Sequence, residues 1–222
     1  MIGSTCCALP LAAVGVAVIV CSGCVSVSRS YPEKHHYALE VVRQGETIDP
    51  VSQTGLKIRK FRASSAFEGK EFVYRTSDTR YEVDFYNEWM VSPTTMLTEQ
   101  VVTWLTKADL FHYVMESSGE LEAQYILDGT ITAMYGDYRA TPSKAVLGLQ
   151  VFLIHEAASQ DEILWHQEYR QGVDVEGQTP DALVSAWNAA LRMILMALEA
   201  DLNRVLKRTA FNGVLDTSPN TR

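Results

Sequence analysis

The sequence has 222 residues, with 27 acidic against 19 basic side chains and a formal net charge of −8. Such an acidic chain is a poor candidate for binding nucleic acid or anionic lipid by bulk attraction, because both depend on an excess of Lys and Arg. Its length corresponds to one domain of ordinary size, which can bury a core without disulfide bonds.

The first 28 residues contain no charged side chain, and residues 11–20 are almost entirely aliphatic or alanine. This apolar run ends in Cys21, Ser22 and Gly23, which are followed by Cys24. Small side chains directly before a cysteine fit the lipobox of bacterial lipoproteins. We therefore predict a signal peptide over residues 1–23 and a covalent lipid on Cys24. An uncleaved membrane anchor and a plain secretory signal stay open as alternatives, because the segment approaches the length that spans a bilayer.

All four cysteines lie in this leader, at positions 6, 7, 21 and 24. The mature chain is therefore expected to form no internal disulfide and no cysteine-ligated metal site. Apart from the lipid on Cys24, we predict no cofactor. Two or more acyl chains hold a protein stably on a membrane, and Val25, in place of aspartate, favours delivery to the periplasmic face of the outer membrane. Residues 24–36 are predicted to be a lipidated tether.

The next residues contain a histidine pair and a strand of alternating character. His35 and His36 point opposite ways on an extended chain, so we predict no metal site there. Residues 37–42 are predicted to form the first strand. In residues 55–63 the apolar positions alternate with cations, which predicts a strand with one buried face. The cations are Lys57, Arg59, Lys60 and Arg62, and they are either a solvated face or a contact for an acidic partner.

Residues 71–75 and 80–85 are predicted to pair as a hairpin. The region is rich in aromatic residues, among them Phe72, Tyr74, Phe85 and Trp89. Core packing is the default explanation, and contact with a partner or an apolar ligand is the alternative. Ser92 and Pro93 then mark the start of a helix that runs to about residue 106.

The second half predicts an antiparallel meander followed by a long helix. Residues 125–135, 144–155 and 163–171 are strongly β-forming. Thr179 and Pro180 repeat the helix-start signal, and an apolar stripe continues to about residue 207. The stripe is expected to pack on the sheet, with a subunit contact as the alternative. We thus predict an α+β fold with one domain over residues 37–208, a mainly antiparallel sheet packed by two helices, and a flexible tail over residues 209–222.

Enzyme signatures are missing from the sequence. It contains no Gly-x-Ser-x-Gly elbow, no phosphate-binding loop and no His-Glu-x-x-His site. Glu82 and Asp84 share one face of their strand, where mutual repulsion favours a solvated pair over a catalytic dyad. We predict no catalytic residue and no metal ligand.

Several segments carry a resemblance to a known family. They are Leu-Lys-Ile-Arg-Lys-Phe at residues 56–61, Phe-Glu-Gly-Lys-Glu-Phe-Val-Tyr-Arg at 67–75, Tyr-Glu-Val-Asp-Phe-Tyr-Asn-Glu at 81–88, Ser-Pro at 92–93 and Leu-Thr at 97–98. Over residues 37–171 the chain resembles the ABC-type transport auxiliary lipoproteins. These include the lipoprotein of the paraquat-inducible system and others that accompany mammalian-cell-entry (MCE) lipid transporters.

The resemblance implies an outer-membrane-anchored periplasmic lipoprotein that serves an ABC-type, MCE-linked lipid transporter as a non-catalytic auxiliary subunit. It implies an MCE-domain protein as partner and contact with the outer membrane through the lipid anchor. The resemblance and the long apolar stripe together are compatible with a homo-oligomer, and the acidic charge balance predicts no nucleic-acid partner. Two alternatives stay open, a periplasmic lipid-binding shuttle or chaperone and an outer-membrane assembly lipoprotein.

Overall fold

The computed structural model describes residues 33–45, 52–117, 122–157 and 160–216, with the backbone alone at residues 53 and 210–216. Within these ranges the chain forms nine strands and two α-helices. In order they are β1 (His35–Tyr37), β2 (Ser52–Ile58), β3 (Arg62–Ala63), β4 (Glu71–Arg75), β5 (Tyr81–Trp89), α1 (Pro93–Ala108), β6 (Phe111–Glu116), β7 (Tyr125–Asp137), β8 (Lys144–His155), β9 (Glu162–Asp174) and α2 (Pro180–Asp216). The α+β prediction is confirmed.

The strands form one mixed sheet in which β7 is the central element. β7 pairs antiparallel with β8, and β8 pairs antiparallel with β9, which confirms the predicted meander. On its other edge β7 pairs in parallel with β2, β3 and β4 at successive positions. β4 and β5 form the predicted antiparallel hairpin, and β1 and β6 add parallel pairings to β5 and β2. The longest ladders are antiparallel, and the parallel pairings join the N-terminal half of the chain to β7.

Both helices begin where their capping residues predict. The Ser92 hydroxyl accepts a hydrogen bond from the Thr95 amide at 3.4 Å, and Pro93 occupies the first turn of α1. The Thr179 hydroxyl accepts from the Ala182 amide at 3.2 Å, one residue before α2. These bonds satisfy amides that have no partner inside a helix.

The apolar stripe of α2 packs on β8 and β9, as predicted. Leu183, Trp187, Leu191, Ile194, Leu195, Leu198 and Leu202 are all fully buried. The helix continues to Asp216, beyond the end near residue 207 that the apolar repeat predicts. Pro180–Thr209 is long and apolar enough to cross a bilayer, but half of its most apolar stretch is buried inside the domain, as in a core helix.

The prediction of a first strand over residues 37–42 is wrong. The strand is β1, which ends at Tyr37, and the backbone that follows bonds to helices. The Glu40 amide donates to the Asn188 side chain at 2.9 Å, and the Val41 amide donates to the Gln100 side chain at 3.0 Å. The alternation in this segment reflects burial of Leu39 and Val41 under the helices, without strand pairing.

An ion pair holds the same segment against both helices. The Arg43 guanidinium donates to both oxygens of Glu199 on α2, at 2.8 and 2.9 Å. The indole N–H of Trp104 on α1 donates to the same carboxylate at 2.8 Å. Only 7% of the Arg43 side chain is exposed. The Glu199 carboxylate therefore joins three separate parts of the chain.

The region predicted as one strand over residues 55–63 forms two, β2 and β3. The break lies at Phe61, whose amide donates to the Thr98 hydroxyl of α1 at 2.9 Å in place of a neighbouring strand. The Phe61 ring lies over Gly129 of β7, where an added Cβ would come within 2.3 Å of a ring carbon. Gly129 thus gives Phe61 its place in the core.

Candidate interaction surface

The two faces of the β4–β5 hairpin have opposite characters. Phe72 and Trp89 lie on the inner face and are buried, with ring centroids 4.5 Å apart. Both also contact Trp187 of α2, at 5.2 and 5.1 Å between ring centroids. These two aromatic residues therefore belong to the core and contribute no surface for a partner.

The outer face of the hairpin carries an exposed apolar row, defined here as Tyr81, Val83 and Phe85. Tyr81 and Val83 share one face of the sheet by strand alternation, and Phe85 follows within a register shift of β5 that returns Trp89 to the inner face. The three side chains of the row are exposed by 46%, 65% and 66%. The half-exposed ring of Tyr86 extends the row, since it contacts the Phe85 ring at 5.2 Å between centroids. A cluster of large exposed apolar side chains indicates an interaction site, whereas a single exposed apolar residue is common on protein surfaces.

A hydrogen-bonded carboxylate fixes the backbone where Phe85 and Tyr86 project. Asp84 accepts from the Tyr74 hydroxyl at 2.5 Å, from the Tyr86 and Asn87 amides at 2.7 and 3.0 Å, and from the Asn87 side chain at 2.8 Å. Partial burial opposes ionisation of Asp84, but these hydrogen bonds outweigh it and hold the pKa of the carboxyl below its usual value. Burial, together with the bond to Asp84, raises the pKa of Tyr74. Tyr74 is therefore a structural donor at this site.

Cations lie at both ends of the apolar row. The Lys34 ammonium is 5.6 Å from the centre of the Phe85 ring, and the Arg75 guanidinium is 5.5 Å from the centre of the Tyr81 ring. Lys34 also donates to Glu88 at 2.7 Å. The hydrogen bond from Lys34 lowers the pKa of Glu88, so the pair is charged at neutral pH.

The N-terminal segment enters the domain beside this row. β1 pairs in parallel with the end of β5, with His35 opposite Asn87 and His36 opposite Glu88. The imidazole Nε2 of His36 is 3.0 Å from the Glu88 carboxylate. Across the described ranges no three His, Cys, Asp or Glu side chains come together as a metal site would require.

The four cations of residues 57–62 lie in different surroundings. Arg59 and Arg62 both pair with Asp128 of β7, at 3.3 and 3.1 Å. Lys60 is exposed, and Lys57 lines an open cleft of about 800 Å³ with Tyr113 and Glu122. Because Asp128 neutralises part of their charge, these side chains are a weaker cationic surface than the sequence indicates.

The cleft beside Lys57 is open to solvent and mainly polar. A second one, of about 780 Å³, lies between Lys34, His36 and Tyr86 on one side and Asp181 of α2 on the other. The aromatic residues proposed from sequence for an apolar ligand pocket do not line a common cavity, since two are in the core and Phe85 faces outward.

The predicted lipobox residues Cys21, Ser22 and Gly23, and the predicted lipid attachment residue Cys24, lie outside the described residues. Sequence reasoning identified Phe85 but missed its neighbours Tyr81, Val83 and Lys34. The signal was present, because Tyr81, Val83 and Phe85 alternate with Glu82 and Asp84. The alternation predicts that the two faces of β5 differ in character. Which face is buried depends on where the helices pack, and the pattern within the strand does not contain that information.

Comparisons with known proteins agree with this description. The family model described as an ABC-type transport auxiliary lipoprotein component matches residues 37–198. None of the curated proteins compared with the chain matches it. A crystal structure of a Xanthomonas campestris protein of the DUF330 family has a TM-score of 0.65 at 17% identity, over 82% of this chain and 98% of that one. The structure of an uncharacterized protein has a TM-score of 0.57 at 18% identity, over 78% and 97%. At these identities the two structures show the fold alone.

Proposed function

Because this chain belongs to the ABC-type transport auxiliary lipoprotein family, we propose that it is the non-catalytic, lipid-anchored subunit of an MCE-linked ABC lipid transporter. In this proposal the lipid on Cys24 holds the domain at the periplasmic face of the outer membrane. There the domain receives or terminates the conduit formed by an MCE-domain protein. The ATPase and the permease are separate subunits, since this sequence has no phosphate-binding loop.

The observation that carries this proposal is the family match over residues 37–198, which covers β2 to β9, all of α1 and about half of α2. The position of the first described residues is compatible with such an anchor. Lys34 lies on the surface, ten residues after Cys24. Ten residues span at most about 35 Å, at 3.3–3.6 Å each. An acylated Cys24 would therefore keep the domain close to one membrane, where a weak contact with a partner is enough for association.

The surroundings of the carboxylates support a non-catalytic role. Asp84 is occupied by four hydrogen bonds from its neighbours, and Glu82 pairs with Arg80 at 3.0 Å. A general acid or base must reach the proton that it transfers on a substrate, and Asp84 is held by contacts inside the domain. The open, polar clefts also give no support to a lipid shuttle, which would need an enclosed apolar cavity.

The anchor is tested by the intact mass of the full chain purified from the membranes of a lipoprotein-competent bacterial host. We expect a mass equal to residues 24–222 plus acyl groups. The variant Cys24→Ala should lose the acyl groups and leave the membrane fraction. Cys21→Leu, which introduces the residue more usual at that lipobox position, is the matched control and should be processed like the parent. An uncleaved or unacylated parent chain would contradict the anchor.

The partner is tested by capture of an MCE-domain protein from the same host. The lipidated chain and the Cys24→Ala variant are compared after crosslinking in intact cells. Recovery with the lipidated chain, reduced in the variant, is expected, because the variant loses the local concentration that the anchor supplies. Lipidation without recovery of any MCE-domain protein would refute the transporter role while leaving the anchor intact.

A further inference from the structure

We propose that the apolar row of β5 docks on the phospholipid surface to which Cys24 is anchored, so that the domain lies with this face of the hairpin against the bilayer. This inference rests on the lipid anchor of the proposed function. It adds a second membrane contact, made by the folded domain itself, and it assigns the domain one orientation.

The position of the tether is the first argument. Phe85 and the last residue before β1 are in direct contact, since the Lys34 ammonium lies 5.6 Å from the centre of the Phe85 ring. A chain of ten residues from Cys24 to Lys34 can reach at most about 35 Å. The exposed apolar side chains of β5 therefore lie beside Lys34, which is ten residues after the predicted anchor.

The chemistry of the row is the second argument. Tyrosine and phenylalanine side chains are favoured at the boundary between lipid head groups and acyl chains, and neighbouring Lys and Arg side chains extend toward the phosphates. Here the two ends of the row carry Lys34 and Arg75, each stacked on a ring of the row. Lys34 is also paired with Glu88 at 2.7 Å, so the row fits the head-group region through its aromatic rings and the cations beside them more than through an excess of positive charge.

The size of the row fits docking in combination with an anchor. Three or four side chains give a contact too small to hold a protein on a membrane without other attachment. An acyl anchor removes that requirement, since it converts docking into an intramolecular step. The contact then serves to orient the domain, and the lipid on Cys24 provides the attachment.

The mature chain allows a direct test, because it has no cysteine after Cys24. In the lipidated protein the Cys24 sulfur is blocked, so Phe85→Cys introduces one free thiol for an environment-sensitive fluorophore. The labelled, lipidated chain is reconstituted into vesicles of phosphatidylethanolamine and phosphatidylglycerol. Depth is measured by quenching with spin-labelled phospholipids that carry the nitroxide near the head group or deep in the acyl chain. Apolar faces at a membrane surface enter only about 5–10 Å, so the shallow label should quench more.

Met196→Cys is the matched control. Met196 is 59% exposed, close to the 66% of Phe85, but it lies on α2. It is 15 residues beyond Asp181, which borders the cleft beside Lys34, and this separation is about 22 Å along a helix. We expect at least about a twofold greater quenching at position 85 than at position 196 if one face docks as an interfacial contact does. A fluorophore on Val83→Cys should be quenched to the same extent as one on Phe85→Cys. Agreement between the two variants would show that the quenching does not result from loss of the Phe85 ring.

Three results would overturn the proposal. Equal quenching at positions 85 and 196 would refute a preferred orientation. Absence of quenching at position 85 in a chain with the mass of the acylated form would refute docking, while the anchor of the proposed function would stand. A fluorophore at position 85 that responds to an added MCE-domain protein but not to spin-labelled lipid would assign the row to a protein partner.

Discussion

Replacing Glu199 with glutamine should lower the free energy of unfolding by about 2–3 kcal/mol, because the buried guanidinium of Arg43 then loses its counter-charge. Removing one partner of a buried ion pair costs about 3–5 kcal/mol, and the lower figure reflects the partial exposure of this carboxylate. Glu199 is 15% exposed and Arg43 is 7% exposed. The glutamine oxygen can still accept the hydrogen bond from the Trp104 indole. The loss of unfolding free energy therefore reports mainly the removal of the negative charge beside Arg43.

Urea denaturation followed by circular dichroism gives the change in the free energy of unfolding. For a domain of this size the corresponding fall in Tm is about 4–12 °C. Glu168→Gln is the matched control, since Glu168 is exposed on β9 and should change stability by less than about 0.5 kcal/mol. The double variant Arg43→Met/Glu199→Gln should be more stable than Glu199→Gln alone, because it buries no unpaired charge. A single variant within about 0.5 kcal/mol of the parent would refute this account of the segment.

Two further substitutions test other parts of the structure. Asp84 has a pKa below its ordinary 3.8 in the folded protein, so its contribution to stability is present above about pH 4 and is lost as the pH falls through the folded pKa. The Tm of Asp84→Asn should therefore fall less than the Tm of the parent between about pH 4 and pH 2. An equal fall in both proteins would refute the contribution assigned to the Asp84 carboxylate. Gly129→Ala should cost about 1–3 kcal/mol by urea denaturation, because the new methyl group meets the buried ring of Phe61. Gly172→Ala, also on a strand but with its nearest contact 3.7 Å away, should cost less, and equal losses would contradict the packing argument.

The sequence correctly predicted the helices and strands whose ends and pairing partners are determined by residues nearby in the chain. Ser92 with Pro93, and Thr179 with Pro180, fixed the start of both helices to the residue. The meander of β7, β8 and β9 and the hairpin of β4 and β5 join strands that follow one another in the chain. Their periodicity and turns were therefore enough to predict the pairing.

The errors concern contacts between distant parts of the chain. Residues 38–42 have an alternating pattern, but the sequence does not say that Asn188 and Gln100 supply the hydrogen-bond partners in place of a strand. β6 was not predicted, and its parallel pairing with β2 depends on contacts across more than 50 residues. The parallel pairings to β7 likewise join residues that are more than 60 positions apart, such as Tyr74 with Gly136.

The candidate surface was predicted only in part, for a related reason. Sequence reasoning grouped Phe72, Phe85 and Trp89 as aromatic residues of one region. In the structure Phe72 and Trp89 pack against Trp187 on the inner face, and a register shift in β5 between Val83 and Glu88 leaves Phe85 exposed although it lies only four residues before Trp89. Which aromatic residues remain on the surface is therefore decided by a helix that follows about 100 residues later in the sequence.

That late helix also sets the order in which the protein can complete its core. A chain that leaves the ribosome or crosses a membrane N-terminus first delivers all nine described strands before Pro180 emerges. Until then the inner side chains of β8, such as Leu147, Leu149 and Val151, have no cover from α2. Exposed apolar strands of this kind associate readily with other chains. The newly delivered sheet is thus open to association with other chains until the last helix arrives and covers β8.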